Sequence, residues 1–140
     1  NLVLPDESPP ESPRRVLLCS GKIYYELVEQ RRSMDDSHHV IIRLEQFHPR
    51  PTQALREVLE PWGEVREWLW VQEEPQNMGG WTFVRDWLQE LTGRRVGYVG
   101  RRASPSPATG YHGVHKMEQR EILDGAFDPK AYRRRDVFRT

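Results

Sequence analysis

The feature that most constrains this sequence is a repeated unit, in which a short apolar run is followed by a segment with helical periodicity. Four such runs occur: Val16–Ser20, Val40–Leu44, Glu67–Val71 and Arg95–Val99. Each is followed by apolar residues at i, i+3 and i+4, which predicts an amphipathic helix. Strands that alternate with helices pair in parallel, because the crossover helix returns the chain to the same end of the sheet. The pattern therefore predicts an α/β domain, with a mostly parallel sheet and helices on both faces.

The composition narrows the class of protein further. The chain has 140 residues, which suits one domain, and its 21 Lys and Arg residues balance 21 Asp and Glu residues. A net charge of zero gives no overall field toward nucleic acid or an anionic membrane. No apolar run approaches the ~20 residues of a membrane span. We therefore expect no nucleic-acid or membrane partner. The single cysteine, Cys19, excludes an internal disulfide and favours a reducing compartment.

The two ends of the chain differ from the middle. Residues 1–13 contain four prolines among acidic and serine residues, a composition that predicts a Pro-rich linker. Residues 14–128 hold the repeated units and are expected to form the domain. Residues 129–140 are a basic tail with three consecutive arginines.

Two loops that follow strands carry cations and hydroxyl groups. In a parallel sheet these loops lie at the carboxyl edge, where ligands of open α/β sheets bind. Helix N-termini and arginines in such loops favour phosphate groups, which predicts an anion site for CoA or a nucleotide. Its predicted residues are Ser20, Lys22, Arg101, Arg102, Ser104 and Ser106. The alternatives are a plain strand-to-helix turn and a rigid loop whose arginines pair with carboxylates such as Glu45, Glu73 or Glu74.

A third loop is acidic and aromatic. Glu73 and Glu74 are adjacent carboxylates that could serve as a general acid and base, but no nucleophile or metal cluster lies nearby in sequence. We interpret the loop as an interface with neighbouring domains or subunits, with Glu73, Glu74, Asn77 and Trp81 as its contact residues. His112 and His115 lack further metal ligands, and Cys19 lies in a buried run. No catalytic residue and no metal site are therefore predicted.

Five segments between Arg15 and Phe127 match a set of motifs in the same order. In chain order, residues 15–25, 42–46, 72–81, 100–111 and 115–119 are similar to CSGKVYYDL, RIEQ, QEEPxNMGAW, GRxxSASPATGY and HxxEQ. Gly80 and Pro105 stand where the motifs have alanine, which the sequence alone suggests is a small change. Together the segments resemble the C-terminal domain of the thiamine-diphosphate-dependent 2-oxoglutarate dehydrogenases.

The resemblance implies a fold of the transketolase C-terminal type, a three-layer sandwich. It implies a parent enzyme that oxidatively decarboxylates 2-oxoglutarate on thiamine diphosphate and Mg²⁺ and passes the succinyl group to lipoyl-lysine of its transferase partner, in the citric acid cycle. In that family the preceding domains hold the cofactor and the C-terminal domain supports the homodimer. In some bacterial relatives this domain helps to form a site for acetyl-CoA or a nucleotide such as AMP. The resemblance implies a bacterial cytoplasmic location, or the mitochondrial matrix in a eukaryote.

This chain lacks the family's cofactor motif, a GDG followed some thirty residues later by NN. We therefore expect no cofactor in this chain and no activity from it alone. Two other functions stay open. The chain could be a free-standing nucleotide- or CoA-binding module, or a subunit of a split thiamine-dependent dehydrogenase. The sequence also leaves open a parent enzyme that acts on 2-oxoadipate.

Overall fold

The structure is a computed structural model that describes residues 2–101 and 112–128, with side chains described for 2–101 and 118–128. The strands in these residues are β1 (Val3–Leu4), β2 (Arg15–Cys19), β3 (His39–Leu44), β4 (Glu67–Pro75) and β5 (Val96–Arg101). The α-helices are α1 (Ile23–Ser33), α2 (Thr52–Leu59), α3 (Trp81–Thr92) and α4 (His112–Phe127). A short 3₁₀ helix, Glu60–Trp62, follows α2.

The strands form one sheet in the order β1-β3-β2-β4-β5. The four strands from β2 to β5 are parallel, as the sequence predicts, and β1 is antiparallel to β3. The chain moves from β2 to β3 in one direction, then crosses β2 and continues through β4 to β5 in the other. Crossovers of one hand therefore place α1 and α3 on opposite faces of the sheet. The fold is a three-layer α/β sandwich.

Each face of the sheet carries its own apolar core. In β2, Leu18 points to the layer formed by α2 and α3, whereas Leu17 points to the layer formed by α1 and α4. In β4, Trp70 and Leu69 divide in the same way, and all four side chains are fully buried. Burial on both faces explains why these strands appear in the sequence as continuous apolar runs rather than as alternating patterns.

The N-terminal segment, for which composition predicts a linker, packs against the domain. Val3 pairs with Leu44 across β1 and β3, and the Val3 side chain is buried in the α2–α3 core. Further along, Asp6 accepts a hydrogen bond from the Ile41 backbone N–H at 2.8 Å and forms an ion pair with Arg31, whose Nη2 lies 3.0 Å from Oδ1. Composition missed this segment because two apolar residues and one well-placed carboxylate fix it, while the average over residues 1–13 remains polar.

Two element boundaries matter near the carboxyl edge. Helix α2 begins at Thr52, whose Oγ1 accepts a hydrogen bond from Trp87 Nε1 at 3.2 Å. Strand β4 continues past an irregularity into Glu73 and Glu74, so these residues belong to a strand rather than to the predicted loop. Trp62, at the end of the 3₁₀ helix, is partly buried against the α2–α3 core.

A polar network ties the amino edge of the sheet together. Arg15 binds Glu67 at 2.6 Å, and its Nη1 lies 2.7 Å from His39 Nε2. Since a guanidinium only donates, Nε2 is an acceptor, and Nδ1–H donates to Asp36 at 2.8 Å. His39 is 3% exposed, and burial lowers the pKa of its imidazole. The network therefore holds His39 as a neutral ring.

We predict that the free energy of unfolding falls as the pH drops below about 6.5, the ordinary pKa of histidine. In that window the unfolded chain takes up a proton on His39 that the folded chain resists, so protonation favours unfolding. Urea unfolding at pH 5, 6 and 7 should show a smaller pH dependence in His39→Gln than in the unchanged protein. His48→Gln, at an exposed position, is the control. Equal pH slopes for His39→Gln and the unchanged protein would contradict the assignment.

Candidate functional site

The carboxyl edge of the sheet holds the position where the chain reverses direction. Strands β2 and β4 are neighbours, and the connections that follow them lead to helices on opposite faces. Ligands of open α/β sheets bind at such a switch point, between the two diverging loops. The first loop carries Ser20 and Lys22, and the second runs from Gln76 to Gly80. This is the candidate functional site.

One buried side chain, the amide of Gln72, organises the loop after β4. Its Oε1 accepts hydrogen bonds from Trp70 Nε1 at 2.8 Å and from the Trp81 backbone N–H at 2.9 Å. Its Nε2 lies 2.8 Å from the carbonyl oxygens of both Pro75 and Met78. A single side chain thus joins the strand, the loop and the first residue of α3. Sequence reasoning missed this role, although a glutamine directly after an apolar strand was a signal for it.

Gly80 allows two aromatic rings to meet at the start of α3. A Cβ at this position would lie 2.6 Å from Trp70 Cζ2 and 2.8 Å from Phe47 Cζ, distances too short for carbon atoms. The two rings pack edge to face with their centroids 6.1 Å apart. The change from the motif's alanine to Gly80 is therefore coupled to the packing of Phe47 and Trp70, and is larger than the sequence alone suggests.

The four predicted interface residues fall into two groups. Glu74 and Asn77 are exposed, and Glu73 is partly buried at the end of β4. Trp81, in contrast, is 3% exposed and packs on Tyr98 with a centroid separation of 5.4 Å. It supports the loop from beneath and offers no surface, because it is the first residue of the buried face of α3.

An exposed aromatic residue that sequence reasoning missed lies beside this loop. Phe83 is 62% exposed, and its ring stacks on Phe47 with centroids 6.2 Å apart. Its helical position, one residue before the buried Val84, placed it off the apolar stripe of α3 and so removed it from the predicted core. We call Phe47 and Phe83 the aromatic platform.

The structure describes three of the six residues predicted for the anion site, namely Ser20, Lys22 and Arg101. Strand β4 lies between β2 and β5, so Lys22 and Arg101 start two strands apart. Lys22 is exposed beside the N-terminus of α1, whereas Arg101 is 6% exposed and its Nε lies 3.3 Å from a carboxylate oxygen of Glu118. Ser20 is partly buried. The predicted residues Arg102, Ser104 and Ser106 lie outside the described residues.

Glu73 lies on β4, on the other side of the switch point from the loop that carries Lys22. Burial raises the pKa of Glu73, and the positive charge of Lys22 opposes that rise. Gln119 Nε2 donates to Glu73 Oε1 at 3.2 Å and also to a carboxylate oxygen of Glu26. This polar cluster joins α1, β4 and α4. It supports the alternative in which carboxylates neutralise the cations of these loops.

The remaining reactive groups are few. Cys19 is fully buried, and burial raises the pKa of its thiol, so the thiolate needed for nucleophilic chemistry is disfavoured. Within residues 2–101 and 118–128, no three His, Cys, Asp or Glu side chains lie together as a metal site would require. Nor is any helix in the described part of the chain long and apolar enough to cross a membrane.

The fold and its switch-point loops define a three-layer, doubly wound α/β domain. Residues 1–127 match the family described as 2-oxoglutarate dehydrogenase C-terminal. The chain belongs to that family. The match covers all five motif segments and extends to the N-terminal strand β1.

Full-length relatives agree with the family match. The chain is 44% identical over 117 residues to an oxoglutarate dehydrogenase of Buchnera aphidicola, and these residues make up 82% of this chain. It is 42% identical over 116 residues, 81% of this chain, to a 2-oxoglutarate dehydrogenase E1 component of Cupriavidus necator. It is 40% identical over 123 residues, 86% of this chain, to an E1 component of Haemophilus influenzae. The matched residues span only 12–13% of the length of these relatives.

We predict that Gln72→Leu destabilises the domain strongly. The substitution leaves Trp70 Nε1 and the carbonyl groups of the loop without their buried partner, and each such group costs about 1–3 kcal/mol. Urea unfolding should show a loss of ~3 kcal/mol or more. Gln53→Leu is the matched control, because the Gln53 amide is exposed and its hydrogen bond goes to Glu57, one turn along the same helix. A loss for Gln72→Leu no larger than that of the control would show that the loop does not depend on this amide.

Proposed function

We propose that this chain acts as the C-terminal domain of a 2-oxoglutarate dehydrogenase E1 component, and that it supports the homodimer of that enzyme. The observation that carries the proposal is the family match over residues 1–127, which includes every motif at the carboxyl edge. In this proposal the complete enzyme oxidatively decarboxylates 2-oxoglutarate and succinylates a lipoyl-lysine of its transferase partner.

The arrangement of polar groups supports an assembly role over a catalytic one. Gln72 directs both ends of its amide inward, and Arg101 forms an ion pair with Glu118 within the same domain. Two exposed residues, Glu74 at the end of β4 and Asn77 in the loop, lie directly beside this buried amide network. A preformed loop loses little conformational entropy when a neighbour docks on it. We assign thiamine diphosphate and Mg²⁺ to the preceding domains, because this sequence lacks the GDG and NN motif.

An effector site is a second candidate function, favoured by one observation. Lys22 is exposed at the start of α1, and its side chain forms no capping hydrogen bond with the backbone N–H groups of that helix N-terminus. Gly21 has a φ of 81°, a left-handed conformation that glycine adopts readily and that allows the chain to turn into α1. A phosphate group of acetyl-CoA or AMP is the chemistry that fits those N–H groups. The carboxylate of Glu73 across the switch point competes for the same cation.

The assembly proposal predicts the size and behaviour of the native protein. Its intact mass should be several times the 16.6 kDa of this chain, since the relatives devote only 12–13% of their length to the matched region. Removal of residues 14–128 from that polypeptide should abolish both the dimer, measured by sedimentation, and 2-oxoglutarate decarboxylation. Removal of residues 129–140 alone is the control. A native protein of 16.6 kDa would instead favour a free-standing module or a split subunit.

The effector candidate predicts a loss of binding in two variants of the complete enzyme. Lys22→Ala and Arg101→Ala should each weaken acetyl-CoA or AMP binding by roughly 1.5–3 kcal/mol, the value of a charge-assisted hydrogen bond. Calorimetry measures the binding, and Arg32→Ala, an exposed cation elsewhere on α1, is the control. If both variants bind these effectors normally but melt at a lower temperature, the two cations are structural.

A further inference from the structure

The aromatic platform leaves an apolar side chain exposed at the surface of the domain. Phe83 is 62% exposed, as is Tyr25, but the Tyr25 hydroxyl accepts a hydrogen bond from Arg43 at 3.1 Å. The Phe83 side chain has no polar atom, so the exposed part of its ring is apolar surface in contact with water, which is unfavourable. Its one aromatic neighbour in the described residues, Phe47, covers a single side of the ring. Aromatic residues are enriched at protein interfaces relative to the rest of the surface.

The platform rests on a rigid foundation. Phe47 packs against Trp70, and the absence of a side chain at Gly80 permits that contact. Trp70 in turn donates to Gln72, the residue that holds the loop before α3. Aromatic residues that are held in place before binding lose little entropy on binding, and they dominate the energetics of many interfaces.

The path of the N-terminal segment indicates what covers the platform. Strand β1 runs antiparallel to β3, so the chain reaches the domain at the carboxyl edge of the sheet. The Leu2 carbonyl accepts a hydrogen bond from the Glu45 backbone N–H at 2.9 Å. Phe47 follows Glu45 by two residues, a span of about 7 Å at most. Any polypeptide that precedes Leu2 therefore arrives beside the platform.

The N-terminal segment and the aromatic platform lie on the same side of the sheet. Val3 and Phe47 both pack against the α2–α3 core, and Leu2 is itself 42% exposed. We infer that the aromatic platform docks the domain of the E1 polypeptide that immediately precedes Leu2, through an apolar patch on that domain. The inference rests on the proposed function, in which most of the enzyme lies before this chain. The structure thus assigns a particular surface, the aromatic platform of Phe47 and Phe83, to contact within the enzyme.

Site-specific photocrosslinking in the complete E1 polypeptide tests the inference. A benzoyl-phenylalanine at position 83 should crosslink to a peptide from the preceding domain, identified by mass spectrometry. The matched control is the same residue at position 34, because Met34 is 50% exposed but lies just after the end of α1, toward the amino edge. Crosslinks from position 83 only to a second copy of this domain or to the transferase partner would overturn the inference, as would a yield no higher than at position 34.

A substitution gives a second, independent measurement. Phe83→Ser in the complete enzyme should raise the rate at which a protease releases the C-terminal domain by tenfold or more, whereas Met34→Ser should leave that rate within twofold. Equal rates would contradict the inference. Decarboxylation by the unchanged enzyme tests the proposed function separately. An active enzyme without the crosslink would overturn the docking surface alone, and a polypeptide that lacks E1 activity would overturn both.

Discussion

The carboxyl edge of this domain depends on one buried amide. Gln72 satisfies the Trp70 indole and the Trp81 backbone N–H with one atom and the loop carbonyl groups with another. A buried amide that lacks some of its hydrogen bonds is costly. The groups that bind Gln72 are therefore held in place together. The direction of α3, the position of Gly80 and the orientation of the aromatic platform all follow from that constraint. The glutamine of the family's loop motif therefore contributes to folding, because its hydrogen bonds fix the loop before α3.

Much of the architecture could be predicted from the sequence because burial on both faces leaves a strong signal. Strands such as β2 and β3 are continuous apolar runs, and the helices between them have a clear apolar stripe. What could not be predicted is short and specific. Strand β1 has two residues, and Asp6 acts through its partners Arg31 and Ile41, which are distant in sequence. Neither property changes the average composition of the N-terminal segment.

The candidate site was harder to predict, because the order of the strands in the sheet decides which of its residues lie near one another. Lys22 follows β2, as the sequence predicts, whereas Arg101 is the last residue of β5 rather than part of the loop after it. The presence of β4 between β2 and β5 decides how far apart the two cations start. Strand β4 itself carries Glu73, whose carboxylate accepts a hydrogen bond from the Gln119 amide. Trp81 and Phe83 show the same limit on a smaller scale. Both are aromatic residues in the first turn of α3, and only the helical phase relative to the sheet separates the core residue from the surface residue.

The N-terminal segment has a consequence for the solubility of the domain. Strand β3 would otherwise present its outer backbone groups to solvent, and open strand edges of this kind recruit strands from other molecules. β1 pairs with the last residues of β3, and the Asp6 carboxylate accepts from the Ile41 N–H further along the same edge. A two-residue strand and one carboxylate thus occupy the outer backbone groups of β3 and prevent another strand from pairing with them. A version of the domain that began at Arg14 would lose Val3 from the α2–α3 core and would carry an open edge.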